Sequence, residues 1–201
     1  MATWFRNYRF ALLAGVLVLA VVGGIAYNIW WGSSRLPVIG RVPDVTLTRV
    51  DGQSLSLRDL DGKIKLVSFI YLRCPDVCPP TTAKMAKLQN ELKREGIFGR
   101  DVVFVTITID PERDTLDALK EYAGKFEADL SGWYFLRGSA EATKSITNGF
   151  GFVVQRQGDL VIHSNRTYLV DGDHNIRKIY GMGDTFDEEA VKQDIMNLLE
   201  D

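Results

Sequence analysis

The chain has 201 residues, 46% of them hydrophobic and 25% charged, with a formal net charge of −2. That is enough for one well-buried domain and an appendage, and the absence of a basic patch or arginine-rich run excludes a nucleic-acid partner. Thiol and imidazole chemistry must come from four side chains: Cys74, Cys78, His163 and His174.

Residues 10–31, "FALLAGVLVLAVVGGIAYNIWW", carry no charge, and Asn28 is their one strongly polar residue. As a helix they reach roughly 33 Å, enough to cross a hydrocarbon core of about 30 Å. Arg6 and Arg9 precede the run and only Arg35 follows closely, so residues 1–9 are expected in the cytoplasm and the C-terminal part outside it. Trp4 with Phe5, and Trp30 with Trp31, suit the two interfacial belts. A cleaved signal peptide, with "GIA" at 24–26 as processing site, is the competing reading, against which the apolar run is long. An anchor beginning nine residues in leaves no room for a mitochondrial transit peptide, which points to a bacterial cell membrane. The outer part carries all 26 acidic residues against 21 of the 24 Lys and Arg, a formal charge of −5.

Residues 32–43, "GSSRLPVIGRVP", read as a tether, and 44–201 as the domain. Val45 and Leu47, then Leu55 and Leu57 beyond an Asp51-Gly52 turn, alternate as a β-hairpin. Leu66 to Leu72 is a near-continuous apolar run, the pattern of a strand buried on both faces. The stretch "TTAKMAKLQNELKREG" sets Met85, Leu88 and Leu92 on one helical stripe and stops at Gly96. A second buried strand, "DVVFVTITID", and a second helix, "TLDALKEYAGKF", follow. A short strand over "GWYFL" and a helix over "SAEATKSITNGF" come next. Strands around Gln157-Gly158-Asp159 and Asp171-Gly172 precede the closing helix "DEEAVKQDIMNLLE". This order predicts an α/β sheet with parallel and antiparallel members.

Cys74 directly follows the first buried strand, and Pro75, Pro79 and Pro80 lie where a helix begins, so "CPDVC" is a strand-to-helix turn. A helix N-terminus favours thiolate over thiol. Positions i and i+4 share a helical face, so the sulfurs can meet one metal or each other. A structural disulfide is the plain alternative, but so short a loop gives little stabilisation, and ligand sites of open α/β sheets cluster after such strands.

Two thiolates suit Cu(I) or Zn(II), with imidazole as the natural further ligand. If His163 begins the strand running to Val170, His174 lies roughly 23 Å away at the far turn, and the two cannot share a metal. That argues against a Cys2His2 zinc site. His174, in "DGDHN", reads as an exposed turn residue. His163 stays open between surface residue and ligand on its own stretch. In "IDPERDT", Asp114 suits the cap of the next helix, with Asp117 in its first turn; Asp76 suits the cap of its own helix or an outer contact to a metal ligand.

Taken together, "CPDVCP" after one buried strand, "DPERDT" after the next, "HSNRTYLVDGDHNI" at the late hairpin and the single anchor resemble the Sco (SenC) family of cytochrome c oxidase assembly proteins. The resemblance covers essentially the whole chain. It implies a thioredoxin-like fold, here with an N-terminal hairpin and one transmembrane helix, in which Cys74, Cys78 and His163 bind copper. It further implies a metallochaperone that delivers copper to the dinuclear site of cytochrome c oxidase subunit II, with other copper chaperones or thiol reductants as further partners. Asp76 and Asp110 fall on family positions near that site, implying orienting or docking roles. His174 departs from the family, which often has glycine there, as does Pro80. The alternative is a thiol:disulfide oxidoreductase that reduces the acceptor's cysteines, with Cys74 attacking. A peroxidase-like redoxin shares the architecture, but no dedicated peroxidatic-cysteine signature is present.

Overall fold

The computed structural model describes residues 2–31, 36–157 and 160–200, and within them all side chains except those of 2–8, 10, 28–31, 157 and 160. The chain divides into two compact units, residues 1–36 and 37–201. The first is a helix, α1 (Ala2–Trp31), whose described side chains are all exposed. Among the described residues no helix is long and apolar enough to cross a membrane. The aromatic pairs expected at the interfaces, together with Arg6 and Arg35, lie outside the described side chains.

The second unit is built on an eight-stranded sheet. Its strands are β1 (Gly40–Arg41), β2 (Thr46–Arg49), β3 (Ser54–Ser56), β4 (Ile64–Ile70), β5 (Val102–Thr108), β6 (Trp133–Arg137), β9 (Arg166–Val170) and β10 (Asn175–Gly181), in the order β1-β10-β9-β4-β5-β6-β2-β3. Strands β4, β5 and β6 run parallel, and the other pairings are antiparallel. The crossovers are α2 (Cys78–Arg94) and α3 (Leu116–Lys125). Beyond β6 come α4 (Ala140–Gly149), a separate two-stranded hairpin of β7 (Val154–Gln157) and β8 (Leu160–His163), and the closing helix α5 (Glu188–Glu200). The turn expected at Gly158-Asp159 lies outside the described residues. In the stretch read as tether, Gly40 and Arg41 pair with β10 and Val42 is buried.

All seven residues of β4 and of β5 are buried, as the apolar runs require of strands covered on both faces. Their alternation sorts two cores. Val67, Phe69, Val105 and Ile107 pack with Ile146 of α4, with Phe150 that caps it, and with Phe152 and Tyr168. On the other face, Ile70 meets Leu119 of α3 and both cysteines. The hydroxyls buried with them are paired: Ser68 with Thr106 at 3.0 Å, and the Trp133 indole N–H donates to Thr106 at 2.9 Å.

The β2–β3 hairpin turns at Asp51-Gly52, where Gly52 takes φ +84 and its N–H donates to the Arg49 carbonyl. Its second strand ends earlier than the alternation suggests. Leu57 opens a 3-10 turn, Leu57–Leu60, because Ser56 and Asp59 form a capping box that satisfies the free N–H groups there. Gly96, at φ +72, stops α2 one residue past its cap, Glu95.

Candidate metal centre

Strand β4 delivers the chain to the centre. After Ile70 the backbone turns, with the Cys74 N–H donating to the Tyr71 carbonyl at 3.0 Å, and α2 begins at Cys78. Pro79 and Pro80 occupy the first helical turn, where no N–H is missed. Thr81 fixes that turn to the loop before α5: its hydroxyl accepts the Gly183 N–H at 2.7 Å and donates to the Val77 carbonyl. Gly183 takes φ +63, and a β-carbon there would lie 3.2 Å from Val77, so the close approach of this loop to the cysteine turn needs glycine. Both cysteines are buried free thiols, sharing an apolar cluster with Ile70, Leu119 and Met182.

His163 comes from the separate hairpin. It does not begin the strand that runs to Val170, as the apolar pattern suggested; it ends β8. The break follows from Ser164, whose N–H donates to the Val153 carbonyl and whose hydroxyl accepts the Val153 N–H, so the chain pairs back before β9 starts at Arg166. The half-buried imidazole stacks on Phe152 (5.8 Å, 14°) and meets Tyr71 edge to face (5.5 Å, 81°). Its Nδ1 donates to the Ser164 carbonyl at 2.8 Å, leaving Nε2 for Cys74. The ligating atoms of Cys74, Cys78 and His163 lie within 4.8 Å of one another, the one such group of three among the described residues.

The three side chains are electrostatically unequal. The hydrogen bond from Cys78 holds the Cys74 thiol far below its ordinary range, at about 3; burial opposes this, and bonds from His163 and from the backbone N–H of Asp76 and of Cys78 add to it. The same bond, with burial and the Cys74 charge, pushes Cys78 strongly up. Burial works against protonating His163, but its bonds to Cys74 and to the Ser164 carbonyl, and the Cys74 charge, raise it above a free imidazole. A thiolate, a thiol and a basic imidazole therefore share one pocket.

The acidic residues behave differently from expectation. Asp76 is exposed and does not cap α2. Val77 holds the cap position with helical torsions and no side-chain bond, and Asp76 reaches the centre through its main-chain N–H. Asp114 does not cap α3; Thr115 does, accepting the Ala118 N–H at 3.2 Å. Asp114 turns inward instead, accepting from the Leu72 N–H and the Thr108 hydroxyl, and so ties the end of β5 to the chain leaving β4. Asp110 is wholly buried. Its carboxylate accepts from Arg156 at 2.9 Å and faces Arg73 and Arg113 at 3.7 and 3.8 Å. Since Arg73 precedes Cys74 and Arg156 lies on β7, Asp110 joins the cysteine turn to the histidine hairpin. Nothing in "VVQRQ" marks Arg156 beforehand, and Phe152 reads as core; Tyr71 carries one local signal, an aromatic ring beside CxxxC.

His174 overturns its reading as an exposed turn residue. It is buried, at φ +66, with Nδ1 3.2 Å from Lys65 Nζ and Nε2 3.1 Å from Asp61 Oδ1. Lys65 stands at the start of β4 and Cys74 beyond its end, so the two histidines occupy opposite ends of that strand.

Such an arrangement defines a thioredoxin-like α/β domain with a dithiol–imidazole centre at the end of its central strand. The SCO1/SenC family profile matches residues 41–200, and the chain belongs to that family. It is 35% identical over 148 residues to the SCO1 protein homolog of Bacillus subtilis, covering 72% of this chain and 75% of that one. Among solved structures, it superposes on Arabidopsis thaliana ScoI with copper bound (TM-score 0.69, 30% identity, 81% of this chain and 100% of that one). It also superposes on BsSco, described as carrying a disulfide switch and as a member of the Sco family of cytochrome c oxidase assembly proteins (TM-score 0.72, 30% identity, 82% and 97%).

Proposed function

We propose that residues 44–201 bind a copper ion as cargo through Cys74, Cys78 and His163 and pass it to the dinuclear copper site of cytochrome c oxidase subunit II. The observation that carries this is the clustering of two sulfurs and one imidazole within 4.8 Å. The donor set fits the ion. Thiolates and imidazole suit copper, and the three ligating atoms lie close enough together to meet on one ion. No fourth His, Cys, Asp or Glu joins the group among the described residues, which suits three-coordinate Cu(I) better than tetrahedral zinc. A relative of this family has been solved with copper bound, and another is described as a cytochrome c oxidase assembly protein. Copper leaves by ligand exchange: acceptor thiolates replace these donors one at a time, and no bond of a substrate is turned over.

In this reading residues 10–31 span a bacterial cell membrane with the N-terminus inside, and the domain faces the outer side. The uncharged 11–27 segment of α1 supports it. Asp110 orients the two halves of the centre through Arg73 and Arg156, and Asp76 lies on the exposed rim where an acceptor docks.

A second activity is favoured by the inequality of the thiols. Cys74 as thiolate attacks an acceptor disulfide, one acceptor sulfur leaves as thiolate, and Cys78, losing its proton, resolves the mixed disulfide. The acceptor gains two electrons and a Cys74–Cys78 disulfide forms. The deciding experiment is metal content and ligand spectroscopy of the reduced protein, wild type against His163→Ala. Unchanged affinity and spectrum in the variant would overturn the assignment of His163.

A further inference from the structure

A cavity of about 250 Å³ opens between α4, the loop that follows β5 and strand β7. It exists because of what α4 presents there. Ala140, Thr143, Lys144 and Thr147 recur at the spacing of one helical face, and none is large and apolar, so the helix leaves a gap against β7. Ile109 and Pro111, both buried, and the half-buried Val154 make the rest of the lining mainly apolar. The loop is fixed before anything binds: the Ile109 carbonyl accepts from Arg156 at 3.2 Å and the Pro111 carbonyl from Arg137 at 2.9 Å. The rim is cationic. Lys144 is exposed and makes no ion pair among the described residues, and one Arg156 guanidinium nitrogen has only Glu112 near it, at 3.9 Å. This spot of positive charge lies on a domain, 44–201, whose acidic residues outnumber its basic ones.

We propose that this cavity is a docking subsite for the copper acceptor, filled by an apolar side chain of the acceptor that stands beside one of its carboxylates. The inference rests on the copper-delivery reading. Ile109 and Val154 take the apolar group, while Lys144 and Arg156 take the charge. The volume, that of roughly eight waters, is below the about 300–1,000 Å³ of small-molecule pockets and suits a side chain rather than a cofactor. Its position suits the task. Val154 is the cross-strand partner of His163, so a group seated in the cavity lies against the strand pair that carries the imidazole. Ligand exchange needs donor and acceptor groups on one ion at once, so the acceptor must cover this hairpin. Val153 and Ile162, exposed apolar residues at the same hairpin, extend the surface that it buries. An acidic segment is drawn to the cationic rim and repelled by the acidic remainder of the domain, which sets the orientation of docking.

The test titrates the reduced, copper-free soluble domain of cytochrome c oxidase subunit II onto the full-length protein in detergent, by calorimetry. Lys144→Glu, a reversal at an exposed position, should weaken docking about tenfold. Ala140→Trp, which fills the cavity from the exposed first turn of α4, should weaken it by at least about as much. Glu112→Gln removes the carboxylate that competes for Arg156 and should tighten it about two- to threefold. Lys120→Glu makes the same charge change on α3 and should dock as wild type does. Copper content, measured separately, should be equal in wild type and in all four variants. Wild-type affinity in both Lys144→Glu and Ala140→Trp overturns the proposal, as does a loss in Lys120→Glu equal to that in Lys144→Glu, which marks general charge attraction. Absence of docking by wild type overturns it too. If wild type docks but takes up no copper, the copper reading falls and the subsite stands; if it takes up copper while the variants dock unchanged, the subsite alone falls.

Discussion

Lys65 Nζ lies 3.2 Å from His174 Nδ1, both side chains buried at the end of β4 remote from the cysteines. The ammonium has only hydrogens to offer, so Nδ1 must be the acceptor, and the ring proton sits on Nε2, donating to Asp61. The Lys65 ammonium also donates to the Asp171 carbonyl at 3.1 Å. His174→Ala should destabilise the fold by about 1–3 kcal/mol, the cost of leaving a buried donor short of a partner. His174→Gly should lose roughly 1 kcal/mol less, because φ +66 suits glycine. Urea unfolding of the two variants checks the order, and copper content should not change in either.

The same pair makes stability depend on pH. Burial lowers Lys65 to about 8 from 10.5, against the pull of Asp171, Asp61 and Asp173. Between pH 8 and 10.5 the unfolded chain binds the proton that the folded chain has released, so this group makes stability rise with pH across that window. His174 is lowered from 6.5 by burial and by Lys65, with Asp61 opposing. Its contribution is present above pH 6.5 and is lost as pH falls below it. Urea midpoints of Lys65→Met should lack the alkaline rise that wild type shows, and those of His174→Gly should lack part of the acid loss.

Copper affinity should fall on acidification, with unequal contributions from the ligands. Cys74, at about 3, needs no deprotonation at neutral pH, whereas Cys78, raised, must lose a proton throughout that range. His163, also raised, adds a second competing proton below its own titration. The expected slope is about tenfold per pH unit, steepening toward a hundredfold as the imidazole protonates. Competition titrations with a Cu(I) chelator from pH 8 to 5 measure it, and a flat profile would contradict the ligand set.

Thiol labelling separates the two cysteines. In the reduced protein Cys74 should alkylate at a nearly constant rate from pH 5 to 8, since it is already a thiolate, while Cys78 stays protected. A Cys78→Ser variant should accordingly trap an acceptor as a mixed disulfide through Cys74. Failure of both single mutants to form any adduct would remove the reductase reading.

Arg156→Ala should disturb the centre without touching a ligand. It removes the 2.9 Å partner of the buried Asp110 carboxylate and unties β7 from the Ile109 carbonyl. Leaving that charge with two arginines at 3.7 and 3.8 Å should cost about 2–3 kcal/mol of stability. Copper affinity should drop as His163 loses its fixed distance to Cys74, visible as a larger loss in binding than Asp110-remote variants of equal stability show.

Much of the architecture was legible because it is local. Apolar runs mark β4 and β5, Asp51-Gly52 marks the hairpin, and prolines beside Cys78 mark the start of α2; each depends on neighbours a few residues away. The position of CxxxC on a strand-to-helix turn follows from the same signals, and the motif order carries the family. Ser56 and Asp59 also form a local device, but the hydrophobic alternation through Leu57 masks it.

What the sequence by itself determined, then, is the set of elements and the two thiols that one turn brings together. The tertiary structure alone decided which partners those elements meet. It moved His163 from the start of β9 to the end of β8 and buried His174 against Lys65, 109 positions away. It turned Asp114 inward to Leu72 and joined Arg156 to Asp110 across 46 residues. Periodicity and capping report only the face a residue shows within its own segment. A buried charge or an imidazole finds its partner across the sheet, where strand order, not sequence neighbourhood, sets the distance.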